Sequence, residues 1–143
     1  MMQEVISFTV PYLIPPSGNH YKRPCKYIGR GGGLHLGFKL TKETKAYYEA
    51  VALFARGQTV APETDAERRR VRYTVELDVY LGERQRGDGD NFLKCGIDAL
   101  TRAGIIHSDA NVYQSLARVH KDQRENPHTT YLVTRLEEKH GTN

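Results

Sequence analysis

The segment that most restricts what this chain can fold into is VRYTVELDVYL, residues 71–81. In it Val71, Tyr73, Val75, Leu77, Val79 and Leu81 alternate with polar or charged side chains over almost the whole run. A period of two places those apolar side chains on one face of an extended strand. Such a strand needs neighbours in a sheet and a second layer over its apolar face. EVISFTV, residues 4–10, repeats the pattern with Ile6, Phe8 and Val10 on one side, and ends at Pro11. Val112–His120 and His128–Leu136 read as two more strands joined around KDQRENP, the second setting Leu132 and Leu136 against Tyr131 and Val133.

The covering layer has helical spacing. From Thr41, a candidate N-cap, Tyr47, Ala50, Val51 and Phe54 recur until Gly57, which supplies a stop. A second helix is expected to start at Asp90 or Asn91 and to leave near Ala103 and Gly104, with Leu93, Ile97 and Leu100 as its inward stripe. Residues 58–70, QTVAPETDAERRR, read as a connection, and residues 105–111 as a turn. PPSGNHYKRPCKYIGRGGGLHLG is dense in Pro, Gly and basic residues and reads as a long loop or loose hairpin around Gly31, Gly32 and Gly33. The expected class is therefore α/β (α+β): one domain over residues 1–143, with a small mixed sheet of about four strands packed against two main helices. At 143 residues such a domain can bury a core without staples.

Composition narrows the setting. Cys25 and Cys95 are the two cysteines and have no metal-binding spacing, which argues against a disulfide framework and a cysteine zinc site. The first residues lack a basic stretch before their short apolar run, and no long apolar segment follows, so a cytoplasmic, soluble protein is expected. Lys and Arg number 21 against 17 Asp and Glu, a formal +4 that suits a polyanionic partner without establishing one.

Against that balance, RGDGDNFLKCGIDAL, residues 86–100, gathers Asp88, Asp90 and Asp98. On a helix Asp90, Lys94 and Asp98 share one edge, with Asp88 just before the first turn. If the chain turns back after Gly104, Asp109 joins them, and mutually repelling carboxylates call for a hard cation such as magnesium. Ordinary roles fit the same spacing. Asp90 can cap the helix, Asp88 can sit in a Gly-Asp-Gly turn, Asp98 can pair with Lys94 or Arg102, and Asp109 can be a turn residue. DGDN is not a calcium loop, because Phe92, Leu93 and Ala99 stand where a ligand, a glycine and a glutamate are needed. RGGG lacks the ending of a P-loop. His35, His107, His120, His128 and His140 have no ligand spacing and read as surface residues.

Three pieces together resemble the RusA family of Holliday junction resolvases, small endonucleases common in phages and prophages. PPSGNHYKR, residues 15–23, is similar to that family's N-terminal signature. DGDNFLKCGIDAL is similar to its Asp-x-Asp-Asn-x-x-Lys motif, and AGIIHSDANV to the segment bearing its third essential Asp. The resemblance implies metal-binding, catalytic Asp88, Asp90 and Asp109 with catalytic Lys94, and magnesium, replaceable by manganese, as cofactor with no organic one. Behind them would stand Asn91 and Asp98, the latter holding Lys94 or a metal-bound water, although a structural ion pair fits Asp98 equally. Two departures stand out: Gly87 occupies a place that is basic in the family's best-known pattern, and Ser108 a place that is acidic.

The expected partner is four-way junction DNA, gripped by Lys22, Arg23, Lys26, Arg30, Arg84 and Arg86 at its phosphates. Asn19, His20 and Tyr21 would lie near the junction centre, although Tyr21 could equally pack the loop. Arg68, Arg69 and Arg70 read instead as solvated surface charge. With the four site acids set aside, the 21 Lys and Arg face 13 of the 17 Asp and Glu, so an acidic patch would sit in a basic surface. The family also implies a homodimer that cuts symmetrically, with no membrane association. A non-catalytic branched-DNA-binding module and a nuclease of broader flap or branched-DNA preference remain as alternatives.

Overall fold

In the computed structural model, which describes residues 3–17 and 22–136, the alternating segment forms β4, Arg72–Tyr80, near the centre of a four-stranded sheet. Its apolar set, Tyr73, Val75, Leu77 and Val79, is fully buried. The other strands are β1 (Gln3–Pro11), β5 (Val112–His120) and β6 (His128–Leu136), in the order β1-β6-β4-β5. β6 runs antiparallel to both neighbours, and β4 lies parallel to β5. That parallel pairing follows from the helix between the two strands, because a hairpin turn cannot bring parallel strands together. The mixed sheet is therefore as expected. A separate two-stranded sheet joins β2 (Lys22–Ile28) to β3 (Leu34–Leu40).

Helices α1 (Lys42–Ala55) and α3 (Gly89–Arg102) cover one face of the large sheet, and a third, α2 (Asp65–Arg70), precedes β4. α1 begins as its sequence predicts: the Thr41 hydroxyl accepts from the Thr44 amide at 3.3 Å. It ends at Arg56 and Gly57, both left-handed, with φ of 53° and 75°. Both helices meet at Tyr131 of β6. The Tyr131 hydroxyl donates to the Gly96 carbonyl at 3.2 Å, and its oxygen, 2.6 Å from that of Tyr47, accepts the Tyr47 proton. This buried ladder ties α1, β6 and α3 together, and burial pushes both phenol pKa values upward.

Three expectations need correction. Residues 58–70 contain α2, whose Thr64 hydroxyl accepts from the Glu67 amide at 3.2 Å, a Thr-x-x-Glu capping signature within an otherwise polar run. The start of α3 is Gly89 rather than Asp90 or Asn91. Its buried stripe is Phe92, Cys95, Gly96, Ala99 and Leu100, while Leu93 and Ile97 are only partly buried beside it. The stripe shifted because Gly96 lets the helix lie close on the sheet: a β-carbon there would come within 2.9 Å of Leu77. For residues 22–40 the hairpin, one of the two expected readings, is the one that forms.

The opposite sheet face is polar. Arg118 reaches Glu76 at 2.6 Å and Asp78 at 3.3 Å, and His120 lies 2.8 Å from Asp78. Tyr80 is sandwiched between His120 and His128, with ring centroids 4.2 and 4.0 Å away. These histidines, expected as plain surface residues, are partners in a stacked surface row.

Candidate active site at the start of helix α3

The first turn of α3 is held against the sheet by glycines. A β-carbon on Gly89 would approach the Ala117 carbonyl oxygen to 2.7 Å, so the helix start is pressed onto β5. At Gly87 φ is 148°, and a β-carbon would collide with the Phe92 ring at 2.5 Å. A basic side chain here, which the resemblance led one to expect, is thus opposed by backbone shape and by the buried Phe92.

Asp88 occupies the N-cap position, and its main-chain oxygen accepts from Asn91 at 3.0 Å. Its carboxylate makes no capping hydrogen bond, which leaves those oxygens for another ligand. Asp90 follows in the first turn, exposed like Asp88, at the helix end whose dipole favours negative charge. One turn further on, Lys94 Nζ lies 3.8 Å from Asp98.

Asp109 arrives from the other side. Ile105 and Ile106 are buried, which anchors the chain after Gly104. His107 Nδ1 lies 2.7 Å from the Tyr73 hydroxyl. Burial, reinforced by Arg68, lowers the His107 pKa, and burial raises that of Tyr73. A 3-10 turn, Asp109–Asn111, comes next, and there the Ser108 hydroxyl accepts from the Ala110 amide at 3.1 Å. The Asn111 side-chain Nδ2 donates to the carbonyls of Arg68 at 3.1 Å and Val71 at 2.9 Å. The turn so pinned carries Asp109 Oδ2 to 4.0 Å from Lys94 Nζ. Lys94 therefore stands between two carboxylates from separate segments, and the return past Gly104 occurs.

In kind, these donors suit a hard divalent cation: they are exposed carboxylate oxygens, one of them free of a capping bond. Among the described residues, no three His, Cys, Asp or Glu side chains are grouped so as to hold an ion by themselves. Magnesium does not require such a cage, since it is usually held by one or two carboxylates with water and phosphate oxygens completing its shell. The donor set therefore fits magnesium delivered with a phosphate better than a tightly prebuilt metal centre.

The remaining residues fall around this site. Asn91 is half-buried in the first turn, and Arg84 and Arg86 are exposed in the loop before Asp88. Arg86 and Phe92 line an open cleft of about 700 Å³ with Pro15, Pro16 and Ser17. The N-terminal signature and the acidic motif, about seventy residues apart in the chain, thus share one cavity. Lys22, Arg23 and Lys26 lie on β2, and Arg30 in the turn after it. Asn19, His20 and Tyr21 lie outside the described residues. The sequence reading did not single out His107 or Asn111 as supports of Asp109. Their partners come from residues at least 34 positions away, and only the turn-forming character of Ser108-Asp109-Ala110-Asn111 hinted at a fixed geometry.

Hard oxygen donors beside a lysine, exposed on a basic protein, make a centre suited to phosphodiester chemistry. The family model described as Endodeoxyribonuclease RusA matches residues 14–131, most of the chain. The chain belongs to the RusA endodeoxyribonuclease family, nucleases that act on Holliday junction DNA. No curated protein matches it. Among the described residues no helix is long and apolar enough to cross a membrane.

Proposed function

We propose that this protein resolves four-way DNA junctions by paired, symmetric nicks, using magnesium or manganese held by Asp88, Asp90 and Asp109. The observation that carries the reading is the position of Lys94 Nζ, 4.0 Å from Asp109 and 3.8 Å from Asp98, on the helix whose first turn bears Asp88 and Asp90. A bound divalent cation supplies Lewis-acid activation of water and neutralises phosphate charge. Lys94 swings its ammonium from the two carboxylates to a non-bridging phosphate oxygen, where charge builds up during in-line attack. Asp98 returns Lys94 to its resting place and keeps the ammonium oriented. Asn91, through its main-chain bond to Asp88, holds the first turn in shape.

Arg84 and Arg86, beside the acids, and Lys22, Arg23, Lys26 and Arg30 on the hairpin grip the phosphates, so affinity falls as salt rises. Cutting leaves 5′-phosphate and 3′-hydroxyl ends. A homodimer places two such sites across the pseudo-two-fold axis of the junction.

That no three such side chains are grouped among the described residues favours one rival, a module that binds branched DNA without cutting it. Incubating the purified protein with a synthetic four-way junction, a flap and a linear duplex, each with magnesium or manganese, separates the readings. Resolution requires paired nicks in the junction above all, with cutting lost and binding kept in Asp90→Asn. Absence of metal-dependent cutting of every branched substrate would sink the nuclease reading, and preferential flap cutting would replace junctions with a broader substrate class.

A further inference from the structure

The β2–β3 hairpin has two unlike faces. Residues paired across an antiparallel ribbon share a face. Arg23 and Lys39, Cys25 and Gly37, and Tyr27 and His35 therefore form one side, and Pro24 and Phe38, Lys26 and Leu36, and Ile28 and Leu34 the other. The first side covers itself. Tyr27 stacks on His35 with centroids 5.4 Å apart, the Tyr27 ring lies over Gly37, and His35 lies over Gly29. The second side carries Ile28, Leu34, Leu36 and Phe38, all largely exposed, with Leu36 at 78% and Phe38 at 74%. A two-stranded ribbon is only marginally stable alone, and a contiguous apolar strip on its surface marks an interaction site.

Charge indicates what covers this strip. Between Glu4 and Glu43 the chain has no acidic residue, while Lys22, Arg23, Lys26, Arg30, Lys39 and Lys42 are basic. Two copies packed hairpin to hairpin would bring like charges together, whereas a polyanion meets complementary charge at each of them. Position indicates which part of the polyanion. The segment entering the hairpin, through Ser17, and the segment leaving it, at Thr41, both line the cleft that holds Arg86 and Phe92, two residues beyond Asp90. The hairpin is thus joined to the walls of the cleft beside the acidic motif.

We propose that this apolar strip seats on unstacked bases at a DNA branch point, with Leu36 and Phe38 wedged where base pairs end and Lys26 and Arg30 on the flanking phosphates. Apolar wedges driven between the base steps of a duplex must unstack them, which costs free energy at every step, whereas at a branch point the stack is already broken. A continuous duplex offers no exposed base faces, so the strip distinguishes a branch from a plain duplex. The inference rests on the junction-cutting reading for its substrate, but it is tested without cutting.

The experiment uses the full-length protein in EDTA at one fixed salt concentration, with a four-way junction carrying 2-aminopurine beside the branch and a linear duplex as control. Wild-type protein should brighten the probe as its base unstacks. The double variant Leu36→Ser, Phe38→Ser should lose the brightening and bind the junction at least about 10-fold more weakly, the scale of one lost base–side-chain stack. Its duplex affinity and circular dichroism should be unchanged, which shows that the fold is kept. Junction affinity within about two-fold of wild type overturns the proposal. So does a variant that sediments at half the wild-type mass, because the strip would then seat a second copy. Brightening in EDTA without cutting in magnesium supports the wedge and removes only the nuclease reading.

Discussion

Helix α3 and the β2–β3 hairpin both present charge to solvent, yet they are held in opposite ways. The inner face of α3 is so close to the sheet that Gly89 and Gly96 have no room for a β-carbon, and Tyr131 bonds to its backbone. The hairpin's strands pair only with each other, and beyond Leu40, which packs on the core, its apolar side is left uncovered. The contrast separates two tasks. On the proposed function, carboxylates that meet a cation and a phosphate need a platform that does not yield, whereas a surface offered to DNA needs only to be presented. Each region contains one cysteine, Cys95 buried in α3 and Cys25 half-buried in β2.

The largest expected effect tests the platform's chemistry. Asp90→Asn should lower junction cutting at least about 100-fold, beyond what loss of a supporting group costs. It should change folding stability by no more than about 1 kcal/mol, the scale of a charge at a helix start. Gel assays of nicking and urea unfolding measure the two, and a large stability loss would mean that Asp90 is structural.

Next comes the platform's tightness. Gly96→Val should destabilise by about 1–3 kcal/mol in urea, because the added carbons press on Leu77 and the buried Tyr131. Gly87→Arg, which restores the family's basic residue, should also destabilise rather than improve DNA binding, through its φ of 148° and the Phe92 ring. Unchanged melting of both variants would erase the contrast with the hairpin.

The cysteines sharpen it further. Burial pushes the Cys95 thiol up to about 12, from 9.0. Its folded form therefore keeps a proton that the unfolded chain releases sooner. The associated stability is complete below pH 9 and declines as the pH rises toward 12. Cys95→Ala should flatten the urea-midpoint profile between pH 9 and 10 and make it less steep above, where the raised Tyr47 and Tyr131 phenols, whose ordinary value is 10.0, add their own decline. In native protein a thiol reagent should label Cys25 promptly and Cys95 only on unfolding.

The smallest effect concerns the hairpin. Leu36→Ser and Phe38→Ser should each shift folding stability by no more than about 0.5 kcal/mol, since neither side chain is buried. A larger loss in urea unfolding would show that the strip packs on the protein itself.

What the sequence determined was set by neighbours along the chain. The period of two from Val71 to Leu81 gave β4, Thr41 and Gly57 bracketed α1, and Asp90, Lys94 and Asp98 share one edge of α3 with Asp88 at its N-cap, a spacing that points to a candidate site only together with the family resemblance. Even a local signal could be missed, as the Thr64-Glu67 cap of α2 was, when the surrounding run was polar throughout. Tertiary structure alone decided which face of α3 lies inward, since Leu93 and Ile97 are as apolar as Phe92 and only the close approach at Gly96 chooses between them. It also decided that Asp109 reaches Lys94, that His107 and Asn111 hold it there, and that the N-terminal signature shares a cleft with Arg86. The physical reason is range. Backbone periodicity and capping act over a few residues, while the placement of one segment against another depends on the packing of the whole core.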